Sequence, residues 1–177
     1  HATIRRQRQM CIRDSTGAVG EVLLELLEER NFPVENLYLL ASERSAGTSL
    51  SFKGNCITVQ NLDEFDFSQA DIGLFSAGGP ISEEFAPKAA AAGCVVIDNT
   101  SHFRRNDNIP LVVPEVNPHA LANYAETNII ANPNCSTIQM LVALKPIHDA
   151  VGIARINVAT YQACLLYTSD AADEWLR

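Results

Sequence analysis

The 177-residue chain predicts an α/β fold, a doubly wound and mostly parallel sheet, on three observations. Short apolar runs of strand type alternate with helical patterns, the connections between them are short, and turns rich in Gly, Ser, Thr or Asn close the strands. Strands buried on both faces read as continuous apolar runs, and strand–helix–strand units of this length close as a parallel sheet covered on both sides. In such sheets ligands bind beyond the carboxyl ends of the strands.

Each element has its own signal. Between Gly17 and Arg30, Val19, Val22, Leu23, Leu26 and Leu27 recur at helical spacing with acids between them, an amphipathic helix entered through a glycine turn. Residues 37–41, after Pro33, form a buried-strand run, and 49–52 with 57–59 flank Gly54-Asn55 as a hairpin. A strand at 71–77 ends at Gly78-Gly79-Pro80, where an alanine-rich helix begins and runs to Ala92. Residues 94–97, 111–113, 128–131 and 156–163 read as further strands, Asn117-Pro118 opens a short helix, and 138–150 forms a longer one.

The first strand is where pattern and fold conflict. Residues 5–13, Arg-Arg-Gln-Arg-Gln-Met-Cys-Ile-Arg, stand where a buried central strand is expected, and burying them implies several uncompensated charges. Residues 10–15 and 164–174 resemble translated adaptor sequence. The expected organisation is a foreign leader at 1–15, a nucleotide-binding domain at 16–134, a cysteine helix and the start of a second α+β substrate and dimerisation domain at 135–163, and a foreign tail at 164–177.

Composition narrows the function. Net charge is −8, with the arginines gathered at 5, 6, 8 and 13, which argues against binding a phosphate backbone as the main task. No apolar run reaches the roughly 18 residues of a membrane span and no signal-peptide core is evident, so a cytoplasmic protein is expected. The five cysteines, Cys11, Cys56, Cys94, Cys135 and Cys164, are odd in number and lack Cys-x-x-Cys spacing, so neither a disulfide framework nor a metal site is expected.

Two places suggest chemistry. In Asn132-Pro133-Asn134-Cys135-Ser136-Thr137 a thiol meets the start of a helix, where unpaired N–H groups and the helix dipole favour negative charge. Cys135 is a candidate nucleophile on that ground, or a buried filler of a strand-to-helix turn. In Thr16-Gly17-Ala18-Val19-Gly20 the last two glycines of a dinucleotide fingerprint are present, with Asp14 where a first glycine is expected. An ordinary tight turn explains the same residues. After the second strand, Arg44 and Ser45 suit the 2′-phosphate of NADP, while Glu43 suits the ribose of NAD.

These pieces, with Leu74-Phe75-Ser76-Ala77-Gly78-Gly79, Asp98-Asn99-Thr100-Ser101, Phe103-Arg104, the segment 110–117 and Thr160-Tyr161-Gln162-Ala163, together resemble the bacterial aspartate-semialdehyde dehydrogenase family, collinearly over residues 16–163. The resemblance implies a Rossmann-like domain that binds NADP through Thr16, Gly17, Ala18, Val19, Gly20, Arg44, Ser45, Ser76 and Gly78. It implies Cys135 as the nucleophile that forms an acyl-thioester from aspartyl phosphate, in lysine, threonine and methionine biosynthesis. Gln162, Arg104 and Asn134 then contact substrate, Arg104 through the phosphoryl group, although Arg104 and Arg105 also read as solvated. None of His102, His119 and His148 matches the family's acid/base histidine, which belongs to the later domain, so the chain reads as a fragment of a homodimeric enzyme and is expected to be inactive alone. N-acetyl-gamma-glutamyl-phosphate reductase and a non-catalytic nucleotide-binding domain are the alternative readings.

Overall fold

The structure, a computed structural model, describes residues 8–161. It contains strands β1 (Arg8–Arg13), β2 (Val34–Ala41), β3 (Ser49–Phe52), β4 (Asn55–Asn61), β5 (Ile72–Phe75), β6 (Val95–Asp98) and β7 (Ile129–Ala131), and helices α1 (Ala18–Glu29), α2 (Gly79–Ala91) and α3 (Cys135–Val151). The strands form one sheet in the order β3-β4-β2-β1-β5-β6-β7, parallel throughout except for the β3–β4 hairpin. From β1 the chain builds outward through β2, then crosses back to β5 on β1's other side. The winding therefore reverses between β1 and β5, which opens a crevice at the carboxyl edge.

The sheet has a core on each face. Cys11, Leu40, Phe75, Val96 and Ile129 pack with Phe85, Ala86 and Ala89 of α2 and with Phe67, while Met10, Ile12, Leu39 and Val59 pack with Leu24 of α1 and Phe52. Alternate residues of β1 thus serve opposite faces, as the two-residue period of a strand requires.

Four expectations need correction or adjustment. Residues 8–13 do form the central strand, pairing β2 through Met10–Leu37 and Ile12–Leu39 and β5 through Cys11–Gly73. The charge cost is smaller than the composition suggests: Arg8 stays exposed at the strand's entry, Met10, Cys11 and Ile12 fill the buried positions, and only Arg13 is buried with a charge. Residues 111–113 make a single parallel bridge, Leu111 to Ala131, rather than a strand, because Asn117 folds the segment into a loop by donating to the Leu111 carbonyl and accepting from the Val113 N–H. Residues 152–161 are not a strand either; they pair with no described strand, and Ile156, Val158 and Tyr161 are exposed. The helix at 138–150 begins three residues earlier, with Cys135 at its first position.

Candidate active site

Five turns meet at the carboxyl edge of the sheet, and each is fixed by a local interaction. After β1, Gly17 caps α1 through its backbone, and the helix is entered without a side-chain cap. A Cβ on Gly20 would lie 2.2 Å from the Asp14 carbonyl oxygen and 2.6 Å from Ser15 Cα, so only glycine lets α1 press this closely on the turn. Thr16 is half-buried while Ala18 and Val19 are exposed, and the first N–H groups of a helix have no partner within it. After β5, the Ser76 hydroxyl donates to the Arg13 carbonyl at 3.1 Å, and Gly78, at φ 91°, caps α2 in a conformation that favours glycine.

After β2, Ser42 accepts backbone bonds from Ser45 and Ala46, making a tight turn that carries Arg44 exposed and Ser45 half-buried. After β6, the fully buried Asp98 accepts from the Ser82 hydroxyl at 2.7 Å and the Thr100 hydroxyl at 2.8 Å. Thr100 Oγ1 in turn accepts the His102 N–H. This network pins the loop leading to Arg104, whose Nε donates to the Asn132 carbonyl at 2.8 Å and whose Nη2 donates to the Asn99 carbonyl at 3.0 Å.

After β7 comes the cysteine. Asn134 caps α3, its Oδ1 accepting from the Ser136 N–H at 3.0 Å, and Cys135 follows as an exposed free thiol. Asn134 therefore spends its side-chain oxygen on the backbone that presents the thiol. Of the other described cysteines, Cys11 and Cys94 are buried and Cys56 is exposed on β4, across the sheet from β7. A hydrogen bond with Cys94, together with burial, pushes the Cys11 thiol well up from its ordinary range, which suits an inert core residue. Gln162 lies outside the described residues.

The sequence reading passed over two participants. Asp98 enters the reading only within the segment Asp98-Asn99-Thr100-Ser101 and without a role of its own, although an Asp followed two residues later by Thr is a turn signal. Arg13 was read as an obstacle, yet it stands at the carboxyl end of the central strand. Apart from this edge, a groove of about 330 Å³ lies between the later turns of α3 and residues 153–156, lined by Leu141, Leu144, His148 and Ile153 among others. No metal-binding cluster of His, Cys, Asp or Glu occurs among the described residues, and no described helix is long and apolar enough to cross a membrane.

Comparison with known proteins agrees with this geometry. Residues 15–124 match the family model described as semialdehyde dehydrogenase, NAD binding domain. The chain belongs to the semialdehyde dehydrogenase family. An aspartate-semialdehyde dehydrogenase of a Shewanella species is 64% identical over 149 residues, 84% of this chain and 44% of the relative. A crystal structure of aspartate semialdehyde dehydrogenase II from Vibrio cholerae, complexed with ASA, superposes with a TM-score of 0.82 at 65% identity, over 84% of this chain and 48% of that one. The semialdehyde dehydrogenase of Candida albicans, solved with NADP and acting on aspartate semialdehyde by its name, superposes at 0.71 with 26% identity, over 84% of this chain and 48% of that one. The chain spans about half the length of the curated relatives it matches.

Proposed function

We propose that this chain supplies the dinucleotide-binding half and the nucleophile of an NADP-dependent aspartate-semialdehyde dehydrogenase, which interconverts L-aspartyl 4-phosphate and L-aspartate 4-semialdehyde. The observation that carries the reading is the position of Cys135, exposed at the first residue of α3 on the sheet edge that also carries the glycine turn, in a chain 64–65% identical to proteins of that name. In the biosynthetic direction the Cys135 thiolate attacks the acyl phosphate carbon, the carbon–oxygen bond to phosphate breaks, and inorganic phosphate leaves an acyl-thioester on the sulfur. Arg104, held beside the cysteine segment by its bond to Asn132, is the group for the phosphoryl oxygens. Asn134 fixes the helix start and so the direction of the thiol, and Gln162 is the candidate for orienting the substrate.

The chain's residues fit a dinucleotide at the backbone level. Gly17 and the first turn of α1, which has no side-chain cap, offer N–H groups, and Thr16, Ala18, Val19, Gly20, Ser76 and Gly78, on or beside the turns after β1 and β5, are the proposed cofactor residues. Arg44 and Ser45, on the turn after β2, are the groups for a 2′-phosphate, and the Candida relative's NADP supports that choice. When bound, NADPH supplies the hydride that reduces the thioester. The enzyme is proposed to act in the cytoplasm as a homodimer, a reading supported by apolar side chains that α3 leaves exposed, Val142, Ile147 and Val151.

The test uses a chimera in which this chain is completed with the remaining half of the Vibrio cholerae relative. Cys135→Ala should abolish phosphate-dependent NADP reduction by aspartate semialdehyde while NADP affinity stays nearly unchanged. In the same protein the semialdehyde should slow alkylation of Cys135 and leave exposed Cys56 unaffected. Turnover reduced by less than about tenfold would refute covalent catalysis by this thiol.

A further inference from the structure

The turn after β1 carries a side chain that nucleotide binding does not call for. Asp14 occupies left-handed backbone, φ 66°, a conformation that Asp and Asn tolerate better than most residues. From there its carboxylate folds back over the turn. A Cβ built on Gly17 would lie 2.6 Å from Asp14 Oδ2, 3.0 Å from Cγ and 3.2 Å from Oδ1. The whole carboxylate thus fills the side-chain space above Gly17. A glycine at this fingerprint position leaves that space open so that a pyrophosphate can approach the helix N-terminus. Two anions compete for one volume.

Asp14 is half-buried, and the Arg13 charge attracts its carboxylate against the cost of that burial. Arg13 is 7% exposed, and its Nε has no hydrogen-bond partner among the described residues, so it attracts Asp14 without neutralising it through that atom. The bound anion on this turn is the chain's own side chain.

We infer that Asp14 occupies the pyrophosphate position of the nucleotide site and lowers the chain's affinity for dinucleotides, whose diphosphate must displace it. The inference rests on the reading of this edge as a nucleotide site. At the separation implied by one shared volume, repulsion in a half-solvated site corresponds to about a tenfold loss of affinity. The adenosine end, at Arg44 and Ser45 beyond β2, belongs to a different turn and carries no such conflict.

Calorimetric titration of the full 177-residue chain and its Asp14→Asn and Asp14→Gly variants with NADPH and with adenosine 2′-monophosphate tests this. Asn keeps the shape and the backbone conformation and removes the charge, while Gly also clears the volume. NADPH should bind about tenfold more tightly to D14N and more tightly again to D14G. Adenosine 2′-monophosphate, which has no pyrophosphate, should bind all three alike. Equal NADPH affinity in the three chains, with the monophosphate still bound, overturns the role of Asp14 and leaves the nucleotide site standing, as does an equal gain for both ligands. Binding of neither nucleotide to any of the three overturns the site and the inference together.

Discussion

Arg104 Nε donates to the carbonyl oxygen of Asn132 at 2.8 Å, which ties the turn after β6 to the segment that delivers Cys135. With Nη2 on the Asn99 carbonyl, two of the five guanidinium N–H donors are committed to backbone at neighbouring strand ends. The proposed phosphate ligand is therefore also a strut.

That double part predicts different outcomes for two substitutions in the chimera. Arg104→Lys keeps the charge but lacks the planar fork that spans both carbonyls, so stability should fall by about 1–2 kcal/mol and the KM for phosphate should rise several-fold. Arg104→Ala should raise that KM by at least about tenfold. Urea midpoints and phosphate-dependent initial rates measure both; an unchanged KM in R104A would leave only the strut.

The proposed choice of NADP rests on the turn after β2. Arg44→Ala should weaken NADP by about 1.5–3 kcal/mol, the scale of a charge-assisted contact, and leave NAD nearly as before. Dissociation constants for the two cofactors decide it, and equal losses refute a 2′-phosphate contact.

Asp98 gives a stability test away from the reacting atoms. Asp98→Ala removes the acceptors of two buried hydroxyls, Ser82 and Thr100, and should cost about 3 kcal/mol in urea unfolding. Adding Ser82→Ala should restore part of the loss, because one stranded donor disappears with it. A loss under about 1 kcal/mol in the single variant contradicts a network that holds the loop.

The pH dependence of stability follows from Asp14. Burial pushes its carboxyl up from the ordinary aspartate range, with Arg13 opposing. The folded state then holds this proton more tightly than the unfolded chain. Its contribution is fully present below the unfolded pKa and is lost as pH rises through the folded one. Asp66 has the opposite sign, its bonds with Ser68 keeping it low, but it is common to both proteins compared. Relative to D14N, the parent chain should therefore lose stability as pH rises from about 4, the ordinary aspartate value, through the raised folded-state value. Thermal melts of the two proteins across that range should diverge as pH rises, and parallel curves would rule the contribution out.

Most of the fold was legible because a parallel sheet writes its strands as apolar runs and its turns as glycine, Ser and Asn. Val95 to Asp98, Ile129 to Ala131 and the hairpin around Gly54 lie where periodicity predicts. What misled was local composition without position. Arg8 and Arg13 count equally in a sequence window, yet Arg8 stands exposed at the entry of β1, Met10, Cys11 and Ile12 carry the apolar burial, and only Arg13, at the carboxyl end, is buried with a charge. Conversely, the apolar alternation after Ile153 signals a face awaiting cover, and pairing depends on a partner edge that no local pattern encodes. At the candidate site, the helix start at Cys135, the turn at Gly17 and the close approach at Gly20 were legible because helix starts and close approaches have residue signatures. The bonds of Arg104 were not, since Asn132 accepts through its backbone, and a carbonyl is the same in every residue.

Helix α3 has no buried residue, and the interactions that fix its start are the Asn134 cap and the segment held by Arg104. Its 17 residues span about 25 Å, so a swing of about 10° about the first turn would carry the far end some 4 Å while the sulfur barely moves. Cys135 sits at the fulcrum of this lever. Whatever packs along the helix can take up a new angle while the thiol keeps its place at the sheet edge.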